Sequence, residues 1–234
     1  MLGAKVPESY IGRTVLNKPS FTRKVVALTF DDGPSYLTTP SVLAALKKYH
    51  AKATFFIVGQ MASKQGKLLR QMVHEGHIIG NHSFSHPYHP SQNKAAYELK
   101  LTNQIIFNAI GQYPTIFRPP GGIRDSWTAR LAKAQGMASI IWTGSSADTV
   151  VFDSNSVYRN VIAATHPGAI ILMHDVKYHT AAAVPSILKT LKKLGYECVT
   201  VPEMLRIWDA AIEAKTAKGA LAHTSNIKKS SLAG

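Results

Sequence analysis

The sequence predicts an α/β fold built on a largely parallel sheet. Strand-like apolar runs alternate with amphipathic, helix-like stretches from about Arg23 to Ile207. In three places a glycine ends a helical stretch and precedes a strand-like run, at Gly76, Gly136 and Gly195, where a left-handed helix end is expected. This repeated helix–glycine–strand order supports the alternation more strongly than any single segment does.

The period of the apolar residues predicts each element in turn. Runs of consecutive apolar residues predict buried strands at 25–30, 53–58, 77–80, 138–142, 169–173 and 197–201. Helical spacing predicts helices at 39–49, 62–74, 92–110, 126–135, 155–164, 180–194 and 202–213. We expect an N-terminal extension over 1–22, one folded domain over 23–213 and a disordered tail over 214–234.

The composition fits one globular domain and excludes several classes of protein. The chain has 234 residues, with 45% apolar and 17% charged residues, which argues against global disorder. A net charge of +14 favours anionic partners such as nucleic acid, a cell wall or a membrane surface. The basic residues are scattered, so a nucleic-acid partner is not expected. Cys198 is the single cysteine, and no intrachain disulfide can form.

The sequence contains no apolar stretch long enough to span a bilayer. Residues 1–20 lack the apolar core and cleavage site of a signal peptide, so either the protein is not exported or the sequence has been trimmed. A cytoplasmic location therefore stays open.

Two short stretches predict a metal site. Asp31 and Asp32 follow the first apolar run, and His82 and His86 lie four residues apart. One carboxylate and two imidazoles make three protein ligands for Zn²⁺ or a similar ion and leave positions open for water and substrate. The other carboxylate is then free to take a proton from water. The spacing leaves open whether the histidines lie on a helix or in a loop, because Pro87 disfavours a helix there.

Further polar residues follow a short strand-like run and another predicted strand. Arg118 comes after 115–117 and His174 after 169–173. Because chemistry in parallel α/β barrels sits at the carboxyl ends of the strands, we expect these side chains to converge with the aspartates and histidines.

Residues 24–204 resemble the NodB-like polysaccharide deacetylases, carbohydrate esterase family 4. Thr-Phe-Asp-Asp-Gly-Pro at 29–34 is similar to the family's first motif and His-Ser-Phe-Ser-His at 82–86 to its second. Arg-Pro-Pro-Gly at 118–121 resembles the third motif, and Leu-Met-His at 172–174 the fifth. The first two motifs together are the specific ones.

This resemblance implies a distorted, incomplete (β/α) barrel that hydrolyses acetyl groups from polysaccharides with Zn²⁺ or another divalent ion such as Co²⁺, Ni²⁺ or Mn²⁺. By matching positions, Asp32, His82 and His86 would hold the metal. Asp31 would be the general base and His174 the general acid.

We also expect other residues to contribute to the site. We expect Arg118 to pair with Asp31 and the backbone N–H of Gly121 to stabilise the oxyanion. Three further residues are expected to line the substrate site: Pro120, Trp142 and Leu172.

The chain departs from the family pattern twice. Many members carry an aromatic residue at position 121, where this chain has glycine, so we expect a more open loop and a missing wall of the sugar cleft. In the fourth motif Ser145 stands where an aspartate commonly supports the acid histidine. We therefore expect a lowered pKa for His174, with Asp148, Asp153 and Asp175 as open candidates for a replacement.

The expected substrate is an N-acetylglucosamine-containing polysaccharide, either peptidoglycan or a chitin-like chain. Two alternatives stay open: an acetylxylan-type O-acetyl esterase, and a catalytically weak carbohydrate- or wall-binding protein. The resemblance implies a secreted or cell-wall-associated protein.

Overall fold

The computed structural model describes residues 5–16, 22–125 and 127–230, with side chains given as far as residue 217. Its strands form one parallel sheet, in the order β1-β6-β5-β4-β3-β2-β8-β7, with β9 also paired to β2. The sheet curls into an open half-barrel with helices around it, as predicted.

The strands are short apart from those at the centre of the sheet. They are β1 (Thr14–Val15), β2 (Val25–Asp31), β3 (Ala53–Ile57), β4 (Ile78–Asn81), β5 (Ile116–Phe117), β6 (Ala138–Ile140), β7 (Gly144–Ser145), β8 (Ala169–His174) and β9 (Glu197–Cys198). The sequence did not predict β1 or β7, because two-residue strands carry no readable apolar pattern.

Helices connect the strands. They are α1 (Thr39–Lys48), α2 (Gly59–Ala62), α3 (Gly66–His74), α4 (Gln92–Ile110), α5 (Thr128–Ala134), α6 (Ser154–Ala164), α7 (Tyr178–Lys193) and α8 (Val201–Ser230), with 3-10 turns at Glu8–Tyr10 and Pro120–Gly122. The single helix predicted over 62–74 is divided, since the chain leaves α2 after Ala62 and re-enters a helix at Gly66. None of the helices within the described ranges combines the length and apolarity needed to cross a membrane.

Alternation along β2 separates two apolar clusters. Leu28 and Phe30 pack on one face against α1 and α7, whereas Val25 and Ala27 pack on the other face with the start of α8. Successive residues of a strand point to opposite faces, so Asp31 lies on the same face as Ala27, inside the half-barrel. The sequence thus places the first carboxylate on the inner face at the open end.

Both ends of the chain differ from the expected boundaries. Thr14–Val15 pairs with Ser139 and Ile140, so part of the expected extension adds a strand to the sheet. The expected disordered tail begins at 214, but α8 continues to Ser230, consistent with the good helix propensity of its alanines and lysines. Residues 1–4, 17–21, 126 and 231–234 lie outside the described ranges.

Candidate active site

Asp31 and Asp32 reach one site because the chain turns sharply between them. Asp31 ends β2 in register with His174 of β8, and Asp32 has a left-handed backbone with φ of 71°. Because of this turn, the two side chains do not point to opposite faces of the sheet, as those of successive strand residues would. His82 Nε2 consequently lies 3.6 Å from Asp31 Oδ2 and 3.5 Å from Asp32 Oδ1.

His82 and His86 lie in the loop after β4, and the helix left open by the sequence does not form. Positive φ angles at Ser83 (65°) and His86 (56°) fold this loop back on itself. The two rings lie edge to face with centroids 4.9 Å apart, and His86 Nε2 is 3.4 Å from Asp32 Oδ1. One carboxylate oxygen thus faces two imidazole nitrogens.

Asp32, His82 and His86 form the one cluster of potential metal ligands found in the described part of the chain, with ligand atoms within 4.8 Å of one another. Asp32 Oδ1 is buried and accepts no hydrogen bond. Burial of such an atom without a partner is costly, and a cation between the three side chains would satisfy it. The residues present therefore fit a divalent ion with oxygen and nitrogen ligands.

The protonation of the two histidines also suits ligation. His82 Nδ1 lies 2.7 Å from the carbonyl oxygen of Arg118, which can only accept, so Nδ1 carries the proton and Nε2 presents its lone pair to the cluster. Burial and the neighbouring His82 lower the pKa of His86, which favours the neutral ring that a ligand needs. Burial opposes the charge of Asp32, but the three surrounding histidines lower its pKa to about 2.

Arg118 pairs with Asp31, as expected. Its guanidinium is fully buried and donates from one nitrogen to Asp31 Oδ1 and to Thr29 Oγ1, each at 2.7 Å. The Nε atom donates to the carbonyl of Ile140 at 3.2 Å, and the cation lies 4.1 Å from the ring centroid of Phe56. These contacts fix the carboxylate of Asp31 in one orientation and balance its charge.

Asp148 supports His174. The sequence predicted a lowered pKa for His174 because Ser145 replaces the usual aspartate, and this prediction is wrong. Asp148 Oδ1 lies 2.7 Å from His174 Nδ1, and its Oδ2 accepts the backbone N–H of His174 at 2.8 Å. Thr180 donates a third hydrogen bond of 2.6 Å to Oδ2. Burial opposes the imidazolium, but the bond and charge of Asp148 outweigh it and raise the pKa of His174, where the sequence predicted a lower one.

The other residues considered at this position make contacts that do not involve His174. Ser145 ends β7, and its hydroxyl accepts the backbone N–H of Ala147. Asp153 caps α6 by accepting from Ser156 N. Asp175 is fully buried, accepts from the hydroxyl of Thr39, and has its pKa raised to about 7, chiefly by burial.

The residues expected to line the substrate site lie around Arg118 or on the same inner face. Trp142 lies with its ring 5.7 Å from the guanidinium and against Gly122, where a Cβ would be 2.7 Å from the indole. Pro120 is buried in the turn that carries Gly121, which has φ of 62°. Leu172 is two residues before His174 in β8 and therefore points to the same inner face.

The space beside Gly121 is not open as expected. A Cβ placed on Gly121 would lie 2.8 Å from Cε1 of Tyr88. An aromatic ring from the loop after β4 thus occupies the position that the sequence predicted to be empty. Sequence reasoning missed this contact because residue 88 lies outside the motifs and is distant from residue 121 in the chain.

Glu98 and Asn81 hold the loop of the two histidines, and neither was predicted. Glu98, on α4, accepts from the backbone N–H groups of Phe84 and Ser85 at 2.8 and 2.6 Å and from the Ser85 hydroxyl at 2.7 Å. Asn81 accepts from Ser83 N at 2.7 Å. Asn81 precedes His82 in the sequence and could have been suspected, whereas nothing local marks Glu98.

Comparison with known proteins identifies the family of the chain. The family profile described as polysaccharide deacetylase matches residues 18–140. The chain is 37% identical over 185 residues to the peptidoglycan-N-acetylglucosamine deacetylase PgdA of Listeria monocytogenes, covering 78% of this chain and 39% of that protein, so it spans about two fifths of that relative. It is 36% identical over 210 residues to a peptidoglycan-N-acetylglucosamine deacetylase of Bacillus cereus, covering 86% of this chain and 95% of that protein.

Solved structures show the same fold. The peptidoglycan deacetylase PdaC from Bacillus subtilis superposes with a TM-score of 0.79 at 34% identity, over 85% of this chain and 97% of that one. A family 4 carbohydrate esterase from Streptomyces lividans, in complex with acetate, gives 0.73 at 34% identity, over 78% and 95%. The chain belongs to the polysaccharide deacetylases, carbohydrate esterase family 4.

Proposed function

We propose that the protein is a metal-dependent hydrolase that removes the acetyl group from N-acetylglucosamine units of peptidoglycan. One observation carries this proposal: the orphaned Oδ1 of Asp32 between His82 and His86, with Asp31 and His174 on either side. The names of the Listeria and Bacillus relatives support the substrate. Peptidoglycan is preferred here to a chitin-like chain for that reason.

Asp32, His82 and His86 would hold the ion. When bound, it supplies Lewis-acid chemistry, polarising a carbonyl oxygen and lowering the pKa of a water molecule. Zn²⁺ is the ion we expect, because one carboxylate and two neutral imidazoles are ligands it accepts, and Co²⁺, Ni²⁺ and Mn²⁺ are the alternatives.

Asp31 is the general base in this proposal. Its Oδ1 is held by Arg118, while Oδ2 faces the cluster at 3.6 Å from His82 Nε2. Oδ2 is therefore the atom that takes the proton from the attacking water. Arg118 keeps the carboxylate in place, so the base needs no reorientation during the reaction.

His174 is the general acid. Its Nδ1 is bonded to Asp148, and its Nε2 points toward the cluster, 3.9 Å from Asp32 Oδ2. In the protonated ring Nε2 donates a proton to the departing amine, so that water is added across the C–N bond and acetate and a free amine result. The backbone N–H of Gly121 would donate to the oxyanion.

We infer that the protein acts at the cell wall. Its relatives are named for peptidoglycan, which is a wall polymer. The net charge of +14 favours weak, salt-dependent attraction to a negatively charged wall. Oligosaccharides and wall polymer are therefore the partners to test.

Acetate release is the direct test. The protein should release acetate from peptidoglycan and from N-acetylglucosamine oligomers with Zn²⁺ supplied, and chelation should abolish the release. The neighbouring variants separate two roles: Asp31→Asn should retain stoichiometric metal and lose turnover by about 100-fold or more, whereas Asp32→Asn should lose the metal. Undiminished turnover in EDTA, or in Asp31→Asn, would overturn the proposal.

A further inference from the structure

Tyr88 is an exposed aromatic residue at the edge of the candidate active site. It lies two residues after His86, and its side chain is 64% exposed. Its ring stands edge-on against that of His86, with centroids 5.1 Å apart and planes at 83°. The ring is therefore held next to a metal-ligand candidate while much of its surface faces solvent.

The ring of Tyr88 fills the space beside Gly121. A Cβ on Gly121 would lie 2.8 Å from Cε1 of Tyr88, closer than real Cβ atoms approach other heavy atoms, and 3.2 Å from Cδ1. Gly121 and Gly122 both have positive φ angles, 62° and 68°, which strain any side chain at these positions. A side chain at 121 would therefore have to displace the Tyr88 ring from the position that it holds.

We propose that Tyr88 supplies the aromatic wall of the sugar cleft that position 121 lacks, and that it binds the face of a pyranose ring next to the unit being deacetylated. This rests on the proposed function. An aromatic ring presents a large apolar surface that suits the C–H face of a sugar, and its hydroxyl remains available to water. Glu98 and Asn81 anchor the start of the loop that carries it, at Ser83 and Phe84, and the ring of His86 contacts Tyr88 from one side.

The placement of the ring determines the substrate class it favours. Tyr88 borders the cluster on the His86 side, whereas His174 approaches Asp32 from its other oxygen, Oδ2. A ring beside the cluster contacts a sugar adjacent to the reacting one. Oligomers should therefore bind better than the monosaccharide, and the difference should depend on Tyr88.

Kinetics on an N-acetylglucosamine tetramer test the proposal. Tyr88→Ala should raise KM about tenfold and lower kcat by less than about threefold, whereas Tyr88→Phe, which keeps the ring, should stay within about twofold of the wild type in both constants. Tyr97 is a matched control, since it is also 64% exposed but lies on α4; Tyr97→Ala should behave as the wild type. A KM for Tyr88→Ala equal to that of Tyr97→Ala would overturn the proposal.

Metal binding distinguishes a sugar contact from support of His86. Tyr88→Ala should bind Zn²⁺ as the wild type does in a calorimetric titration. If it loses metal affinity and kcat falls with KM constant, the ring only positions His86, and the proposal is overturned.

Failure of the proposed function can be separated from failure of this inference. If the wild type releases no acetate with metal supplied, the activity is wrong, and calorimetric binding of the same tetramer in EDTA still tests Tyr88. Weaker binding by Tyr88→Ala than by Tyr97→Ala would then support the sugar contact. Equal binding by the two variants, or no binding by the wild type, would overturn it.

Discussion

Replacing Asp148 by asparagine removes the negative charge that lies beside His174 and hardly changes the shape of the side chain. Asp148 accepts three hydrogen bonds, two from His174 and one from Thr180, and its side chain is 1% exposed. An asparagine has one acceptor oxygen, which can serve the backbone N–H of His174 and the Thr180 hydroxyl. Its amide nitrogen would then face Nδ1 and favour the tautomer with the proton on Nε2 of a neutral ring.

The lost charge should change activity more than folding. Losing one charge-assisted hydrogen bond costs about 1.5–3 kcal/mol of the free energy of unfolding. General acid catalysis contributes about 10²–10⁴-fold to rate, so kcat near neutral pH should fall by about 100-fold or more in Asp148→Asn. The effect on rate thus exceeds what partial unfolding of a stable domain would produce.

The pH profile gives the diagnostic sign. A general acid must be protonated, so activity falls as pH rises through the pKa of His174. Burial lowers that pKa, and Asp148 makes the largest contributions that raise it; without its charge, only the smaller contributions of Asp31 and Asp32 oppose burial. The alkaline limb of kcat should therefore move to lower pH in Asp148→Asn. For folding, the raised pKa contributes stability that is present below about pH 6.5 and lost as pH rises through the folded-state value.

Initial rates of acetate release between about pH 5 and pH 10, with Zn²⁺ supplied, measure this shift. Asp153→Asn is the control, because Asp153 was an equally open candidate from sequence but only caps α6. It should keep the wild-type profile and the wild-type stability, because asparagine caps a helix as well as aspartate does. An alkaline limb that stays in place in Asp148→Asn, or moves to higher pH, would refute the pairing as the source of the acid's pKa.

Three further changes have definite expected outcomes. Arg118→Met should lower the free energy of unfolding in urea by about 3–5 kcal/mol, because Asp31 would stay buried without its cation; a loss below about 1 kcal/mol would contradict this. Glu98→Ala should lower the unfolding temperature and weaken Zn²⁺ binding in a titration, because the backbone N–H groups of Phe84 and Ser85 would lose the oxygen that accepts them; unchanged values of both would exclude that support. Asp175→Asn should stabilise the protein in EDTA above pH 7 by up to about 4 kcal/mol. Burial raises the pKa of the Asp175 carboxyl to about 7, so the wild type loses stability as pH rises from about 4 to 7. Equal stability of the two proteins at high pH would contradict this reasoning.

The sequence predicted the sheet and the cluster well where signals were local. The apolar runs located β2, β3 and β8, and the strand-end rule predicted that Asp31 and His174 would meet, as the register of β2 with β8 shows. The pairing of Arg118 with Asp31 followed from the same rule. Roles in catalysis stay predictions, since geometry brings groups together without showing turnover.

Long-range contacts explain what the sequence could not predict. Asp148 was one of three candidates because its approach to His174 depends on the path of the loop after β7. Tyr88 and Gly121 meet only through the fold, and no motif joins them. Glu98 acts across a loop from α4 and has no local pattern.

Arg118 contributes to the site through both its side chain and its main chain, and a mutation can remove the first contribution alone. Its guanidinium orients one aspartate, while its main-chain oxygen sets the tautomer of His82. Every amino acid supplies that oxygen, so substitutions here should impair proton abstraction and leave metal capture intact. A displacement of the chain after β5 would instead move both groups together. Evolution could thus silence such an enzyme by a single side-chain change while the protein continued to hold its ion.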